Sequence, residues 1–310
     1  MSGITLREAM ELEDVERFWD EVALYFERDM QLTPEDEDYD YFLGGQQRLD
    51  VERIRERDGD RCPCLFFCRD GMDIGFALPV IYASEDGRCL VAEFCVFPAY
   101  RGGGTGTVCA KALLQWAEEN GAAYVELNNS GDARRERFWR RLGFVPNGTD
   151  EWGNPLMILP PGEDVPFAVE RLVDLREPQL RRLLRGFRAE IGEQPLGDAA
   201  LERLLIAMGR ERIVFFVARR GFRIVGMCSV ARCFSTFACG ETGVLDDFFI
   251  EPAFRKRGIA RMLTRAAQAY GKAEGMASLT VCCAPCDEGM YQSLGFDTRL
   301  GATFAHLTGA

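Results

Sequence analysis

Apolar positions along the first half of the chain switch between two periods. ITLREAM alternates as a strand does. ELEDVERFWDEVALYF repeats its apolar residues at helical spacing, which predicts an amphipathic helix. An acidic stretch, TPEDEDYD, leads into a second helical pattern, YFLGGQQRLDVERIRER, over residues 41–57. LFFCRDGMDIGFALPVIYA reads as two strands joined by a turn at Asp70-Gly71, and RCLVAEFCVF as a third strand broken by Pro98. TGTVCAKALLQWAEEN carries Val108, Ala112, Leu113 and Trp116 on one helical face, with Gly121 placed to end the helix. AYVELNN predicts a strand, RRERFWRRL a helix and FVPNGTDEWGNPLMIL a closing hairpin.

The second half repeats this order. AVERL is a strand, EPQLRRLLRGFRAEI and DAALERLLIAMG are helices, and IVFFVARRGFRIVGMCSVARC is a strand pair. TGVLDDFFI, the helix GIARMLTRAAQAYGKAE, the strand SLTVCC, the helix GMYQSL and a closing strand follow. The repeat is also literal. Pro98 and Pro252, Arg101 and Arg255, Gly104 and Gly258, and Gly121 and Gly275 each stand 154 residues apart, and Leu142-Gly143-Phe144 matches Leu294-Gly295-Phe296 at 152. A constant spacing across strand, turn and helix indicates duplication. The expected domains are residues 1–160 and 168–310, joined by a Pro-rich linker over 161–167.

Composition narrows the chemistry. With 310 residues, 47% of them hydrophobic, and a formal charge of −12, the chain suits two globular domains and disfavours nucleic-acid binding. An acidic protein favours cationic partners. The first thirty residues lack the apolar core of a signal peptide and no apolar run is long enough to span a membrane, so a cytoplasmic protein without a membrane partner is expected. The twelve cysteines lie mostly in apolar, strand-like runs, which predicts small buried thiols. Two groups, Cys62, Cys64 and Cys68 and then Cys282, Cys283 and Cys286, lack the paired spacing of a zinc site, and no metal is expected. The single histidine, His306, makes a Ser-His-Asp or Cys-His centre a poor fit.

The chemistry concentrates in VFPAYRGGGTG (residues 96–106) and its counterpart IEPAFRKRGIA (residues 250–260). A strand that turns tightly into a helix leaves the helix's first N–H groups unpaired, and glycines let a phosphate approach them. The arginine in each motif is expected to add positive charge. A P-loop would need a Gly-Lys-Ser/Thr ending, and a Rossmann fingerprint would need a third glycine where Cys109 stands. What both copies hold is Arg-x-x-Gly-x-Gly/Ala, followed later by Leu-Gly-Phe. This resembles the acetyl-CoA signature of the GNAT acyltransferase superfamily, in two tandem copies that span nearly the whole chain.

The resemblance implies an α/β fold, with each domain a twisted mixed sheet flanked by helices and its two central parallel strands splayed beside the pyrophosphate loop. It implies acetyl-CoA as donor and direct transfer to a primary amine of a small, cationic acceptor. The implied cofactor contacts are Val96, Arg101, Gly102, Gly103, Gly104, Thr105 and Gly106 in the first copy. In the second copy they are Phe249, Ile250, Arg255, Lys256, Arg257, Gly258, Ile259 and Ala260. Tyr291 matches the tyrosine that protonates the departing sulfur, and Asp246, with Asp247 beside it, matches the acidic base position. The first copy departs from the pattern: Trp139 replaces the tyrosine, Ala92 aligns with Asp246, and Glu93 is the nearby carboxylate. Catalysis is therefore expected in the second copy. The acidic run Glu35, Asp36, Glu37, Asp38 and Asp40 suggests an acceptor cleft for a cation. Alternatives are an acyl-CoA sensor without catalysis, or transfer to another acceptor such as the amine of a thiol cofactor or in aminoacyl transfer. A tandem fusion can replace a homodimer, so a monomer is consistent with this reading.

Overall fold

The computed structural model describes residues 3–160, 166–174 and 176–301. The chain divides into two compact units, Met1–Gly162 and Glu163–Ala310.

The N-terminal unit is built on a seven-stranded sheet of order β1-β2-β3-β4-β5-β7-β6. Its strands are β1 (Thr5–Glu8), β2 (Leu65–Arg69), β3 (Met72–Ile81), β4 (Arg88–Val96), β5 (Tyr124–Asn128), β6 (Val145–Thr149) and β7 (Pro155–Leu159). Helices α1 (Leu12–Arg28), α2 (Tyr39–Phe42) and α3 (Gln46–Arg55) belong to one side of it, and α4 (Thr105–Glu119) and α5 (Ala133–Arg141) to the other. The α1 stripe of Phe18, Val22 and Phe26 is buried with Phe66, Phe76 and Leu78 of the sheet. On the opposite face Ala110, Leu113 and Ala117 of α4 and Trp139 of α5 pack with Phe67, Ile74 and Leu127.

The single helix expected over residues 41–57 is interrupted. α2 stops at Phe42, and α3 starts after Gly45, whose φ of 88° lies in the left-handed region. A Cβ on Gly44 would lie 2.5 Å from the Asp40 carbonyl oxygen, so the glycine pair permits a tight break that helical periodicity does not register.

The C-terminal unit holds a five-stranded sheet of order β12-β11-β10-β9-β8 among its described residues. These strands are β8 (Ala168–Arg171), β9 (Ile213–Arg220), β10 (Arg223–Ser235), β11 (Gly240–Ile250) and β12 (Leu279–Val281). Its helices are α6 (Pro178–Glu190), α7 (Asp198–Gly209), α8 (Ile259–Ala273) and α9 (Glu288–Ser293). Leu180, Leu183 and Leu184 of α6 pack with Phe215, Val217 and Met227, while Leu263 and Ala267 of α8 are fully buried. β12 is shorter than SLTVCC predicted, because pairing with β11 ends at Val281 and leaves Cys282 and Cys283 beyond the ladder. Residues 295–301 form no strand; the rest of the expected closing strand, His306 and linker residues 161–165 lie outside the described residues.

The feature that positions the sites is the same in both units. Arg88–Val91 of β4 pairs in parallel with Tyr124–Leu127 of β5, and Ala92–Val96 then continues past the end of that ladder. Gly243–Leu245 of β11 pairs with Leu279–Val281 of β12, and among the described residues Asp246–Ile250 runs on without a partner on that side. Each central parallel pair is therefore open just before its glycine loop. Among the described residues no helix is long and apolar enough to cross a membrane.

Candidate functional site

After β4, a 3-10 turn at Pro98–Tyr100 leads into exposed Arg101, Gly102, Gly103 and Gly104. Gly104 caps α4 with φ 82° and no side-chain cap. The first bond of the helix ladder runs from the Val108 N–H to the Gly104 carbonyl, while the Thr105 N–H returns to Gly102. The N–H groups of Gly106 and Thr107 therefore project from the helix start. A Cβ added at Gly102, Gly103 or Gly104 would meet no atom within 4 Å. A Cβ at Gly106 would lie in ordinary contact with the Phe138 ring, at 3.4 Å. The C-terminal unit repeats the device. A 3-10 turn at Pro252–Phe254 leads to exposed Arg255, Lys256, Arg257 and Gly258, and Gly258 caps α8 with φ 82° and open space around it. Thr105 and Ile259 are buried and anchor the two helix starts. Each presents exposed backbone and the positive end of a helix dipole, the elements from which anion sites are built.

The exposed arginines beside each cradle also have partners within the fold. Arg101 Nε donates to the Val96 carbonyl at 2.7 Å, and its two terminal nitrogens grip both oxygens of Asp29, the residue that ends α1. That bidentate pair holds the Asp29 carboxyl down to about 2. Arg255 repeats the arrangement with the Ile250 carbonyl at 2.9 Å and Glu190 at the end of α6 at 2.5 Å. Each arginine thus ties the end of the splayed strand to the first helix of its unit. In the loop itself, Lys256 takes a left-handed φ of 63° at the position where the first copy has Gly102.

On the α9 side of β11, Tyr291 stands between Phe248 and Phe296, with ring centroids at 6.1 and 6.0 Å. Burial, then the nearby Cys283, Asp287 and Asp246, push its hydroxyl up to about 12, so it is protonated at neutral pH. Trp139 fills the matching place in the N-terminal unit, 5.2 Å from Phe94 and 5.1 Å from Phe144. Trp139 is buried and Tyr291 only half-buried. The two aromatic triads share one geometry; one offers a hydroxyl and the other an indole.

The carboxylates depart from simple alternation. A β-bulge in the β10–β11 ladder sets Asp247 and Phe248 opposite Cys228, and Asp247 has φ 48°. Asp246 is exposed and accepts the Asp247 N–H at 3.0 Å. Asp247 is more shielded and accepts the Ser229 hydroxyl at 2.6 Å. Burial raises its carboxyl, Ser229 counteracts this, Asp246 raises it further, and Arg188 lowers it. In the N-terminal unit the bulge falls at Ala92, and Glu93 pairs with Leu78. Glu93 is buried, accepts Gln47 Nε2 at 2.9 Å, and is pushed by burial up to about 8. The resemblance pointed to Asp246, Asp247 and Glu93 but not to Gln47 or Ser229. Gln47 comes from a helix 46 residues away, and no local pattern marks it.

Half of the twelve cysteines are buried, but Cys233, Cys239, Cys282 and Cys286 are exposed, which corrects the expectation of mostly buried thiols. Hairpin and loop positions, not the apolar runs beside them, decide their exposure. Among the described residues no His, Cys, Asp and Glu cluster could hold a metal. Glu35, Asp36, Glu37, Asp38 and Asp40 are exposed, and Asp36 closes a turn by accepting both the Thr33 N–H and its hydroxyl.

The family model of the acetyltransferase (GNAT) family matches twice, at residues 19–144 and 177–296. No curated protein matches in sequence. Among solved structures, an aminoglycoside acetyltransferase from an uncultured soil metagenomic sample is 19% identical over 46% of this chain and 97% of its own, with a TM-score of 0.42. Glucosamine-6-phosphate N-acetyltransferase from Arabidopsis thaliana is 14% identical over 46% and 99%, with a TM-score of 0.40. A predicted acetyltransferase with acetyl-CoA from Clostridium acetobutylicum is 16% identical over 46% and 96%, with a TM-score of 0.39. With two family matches that together cover most of its length, each on a unit with splayed strands and a glycine-capped helix, the chain belongs to the GNAT acetyltransferase family and is an acyltransferase.

Proposed function

We propose that the protein transfers an acetyl group from acetyl-CoA to the primary amine of a small cationic acceptor, with the transfer centre in the C-terminal unit of two tandem domains, residues 1–160 and 168–310. The observation that carries this reading is that the C-terminal unit alone joins a protonated tyrosine, Tyr291, to the opened strand and the glycine-capped helix start.

Acetyl-CoA would supply the thioester, held by the backbone N–H groups at the start of α8 and by the unpaired edge of Asp246–Ile250. Asp247, raised by burial and oriented by Ser229, takes the amine's proton. This moves the base from Asp246, whose exposed side chain stays in water. A backbone N–H of the opened stretch, near Phe249 or Ile250, stabilises the oxyanion. The Tyr291 hydroxyl returns a proton to the leaving sulfur. The −12 charge and the exposed acidic run favour a cationic acceptor.

Coenzyme A release measured across a panel of amines tests the reading. Gly258→Glu places a carboxylate in the anion cradle and is expected to lower turnover by at least about a hundredfold, whereas Gly104→Glu changes it by less than about threefold. The reverse outcome moves the centre to the N-terminal unit.

A further inference from the structure

The first two helices of the C-terminal unit enclose a cavity that the transfer chemistry does not use. It measures about 250 Å³ and lies between the first two turns of α6 and the length of α7. Leu180 and Leu184 line it from α6, and Leu201, Leu204 and Leu205 line it from α7. Those three α7 leucines are only half-buried, and Met208 is the one buried residue of that helix. An apolar helix face is stable when it closes onto its neighbour. Here α7 stands off and leaves more room than the roughly 150 Å³ that accepts benzene in an apolar protein cavity. The space suits an isobutyl or benzyl side chain.

The transfer centre lies elsewhere. It adjoins the second half of α6, where Gly186 abuts the Phe249 ring and Glu190 bonds Arg255. Pro178 and Glu190, the two ends of α6, stand about 18 Å apart along the helix axis.

The charged groups at the rim sort by their partners. Glu177 is committed, with one oxygen accepting the Gln179 N–H and the other paired with Arg219 at 3.1 Å. Arg181 pairs with Asp198 from one helix to the other at 3.3 Å. Arg176 and Glu202 remain; both are exposed, and neither side chain has an ion pair among the described residues. One cation and one anion without partners thus flank a leucine-lined space. A ligand with a carboxylate alone would meet Glu202, and one with an amine alone would meet Arg176. A molecule that carries both charges beside an apolar group meets neither conflict.

We propose that this cavity binds a free α-amino acid with an apolar side chain, of the leucine or phenylalanine type. The side chain enters between α6 and α7, Arg176 takes the carboxylate and Glu202 the ammonium. The inference does not rest on the transfer reading, because none of these residues belongs to that centre.

Calorimetric titration of the full chain with L-phenylalanine, without acetyl-CoA, tests it. Saturable binding at a single site is expected. Arg176→Gln and Glu202→Gln should each weaken it at least about fivefold, and both side chains are exposed, so the variants keep the fold. With the native chain, 3-phenylpropanoate, which lacks the ammonium, should bind at least about fivefold more weakly, and L-alanine, which lacks the ring, at least about tenfold. No saturable binding, a smaller loss in either variant, or 3-phenylpropanoate or L-alanine binding as tightly as phenylalanine overturns the proposal. Phenylalanine held at the transfer centre instead would be indifferent to Arg176→Gln. Tyr291→Phe should keep this binding while slowing acetyl transfer, so failure of this site and failure of the transfer reading are told apart.

Discussion

In the N-terminal unit the turn before α4 runs through three consecutive glycines with positive φ, Gly102, Gly103 and Gly104; in the C-terminal unit Lys256 makes the first of these turns and Gly258 the last. Both helices start from a left-handed glycine, and both preceding strands part from their parallel neighbour. The chemistry beside these matched backbones differs. One unit sets Tyr291 against the opened strand and leaves its aspartates partly in water; the other seals the position with Trp139 and buries Glu93 against Gln47. Duplication preserved what the backbone does and let the side chains diverge. A backbone anion cradle needs only glycine and helix geometry, whereas acid–base chemistry needs particular side chains.

The comparison breaks most readily at the aromatic position. Tyr291→Phe keeps the packing against Phe248 and Phe296 and removes the proton, and turnover should fall by about a hundredfold or more. Trp139→Phe should leave turnover within about twofold while lowering the melting temperature, since the indole packs in the core. Equal losses in both variants would erase the distinction between the units.

Asp247→Asn should cost about a hundredfold in kcat, and Asp246→Asn only a few-fold. The rate should rise with pH through the raised pKa of Asp247. Tyr291, held at about 12, should add no falling limb near neutrality. A rising limb that persists in Asp247→Asn would assign the base elsewhere.

Glu93 gives the N-terminal unit a pH signature of its own. A carboxyl that ionises at its ordinary 4.5 when unfolded and at about 8 when folded binds more protons in the folded state between those values. Stability contributed by this group is therefore lost as pH rises from 4.5 to about 8, by at most about 5 kcal/mol, and is constant above that. Denaturant unfolding of Glu93→Gln against the native chain at pH 5 and pH 8 reads it. The variant should be relatively more stable at pH 8, and no change in the difference would mean that Glu93 is ionised in the fold.

The smallest effect belongs to the loop. Lys256 pays for a left-handed conformation that glycine adopts freely, so Lys256→Gly should stabilise the C-terminal unit by up to about 1 kcal/mol. Reduced stability would show that the lysine side chain holds the turn.

Much of this was legible in the chain. The 154-residue repeat, the strand–turn–helix around each glycine motif, and the helices at residues 198–209 and 133–141 follow from periodicity and glycine placement, which are local properties. The break between α2 and α3 was not, because apolar spacing carries through a glycine pair that the backbone does not. The resemblance places both arginines at the cofactor; the fold adds that each guanidinium holds a strand carbonyl and a helix-end carboxylate 65 or 72 residues away, partners that no local pattern marks.

The sequence by itself determined the duplication, the family signature, and the residue types available at each position for proton transfer, because these depend on identity and spacing along the chain. Only the tertiary structure decided which carboxylate is shielded and which lies in water. Bulge position, burial and partners such as Ser229 and Gln47 come from segments far apart in sequence, and those long-range neighbours set a side chain's dielectric surroundings and its hydrogen bonds.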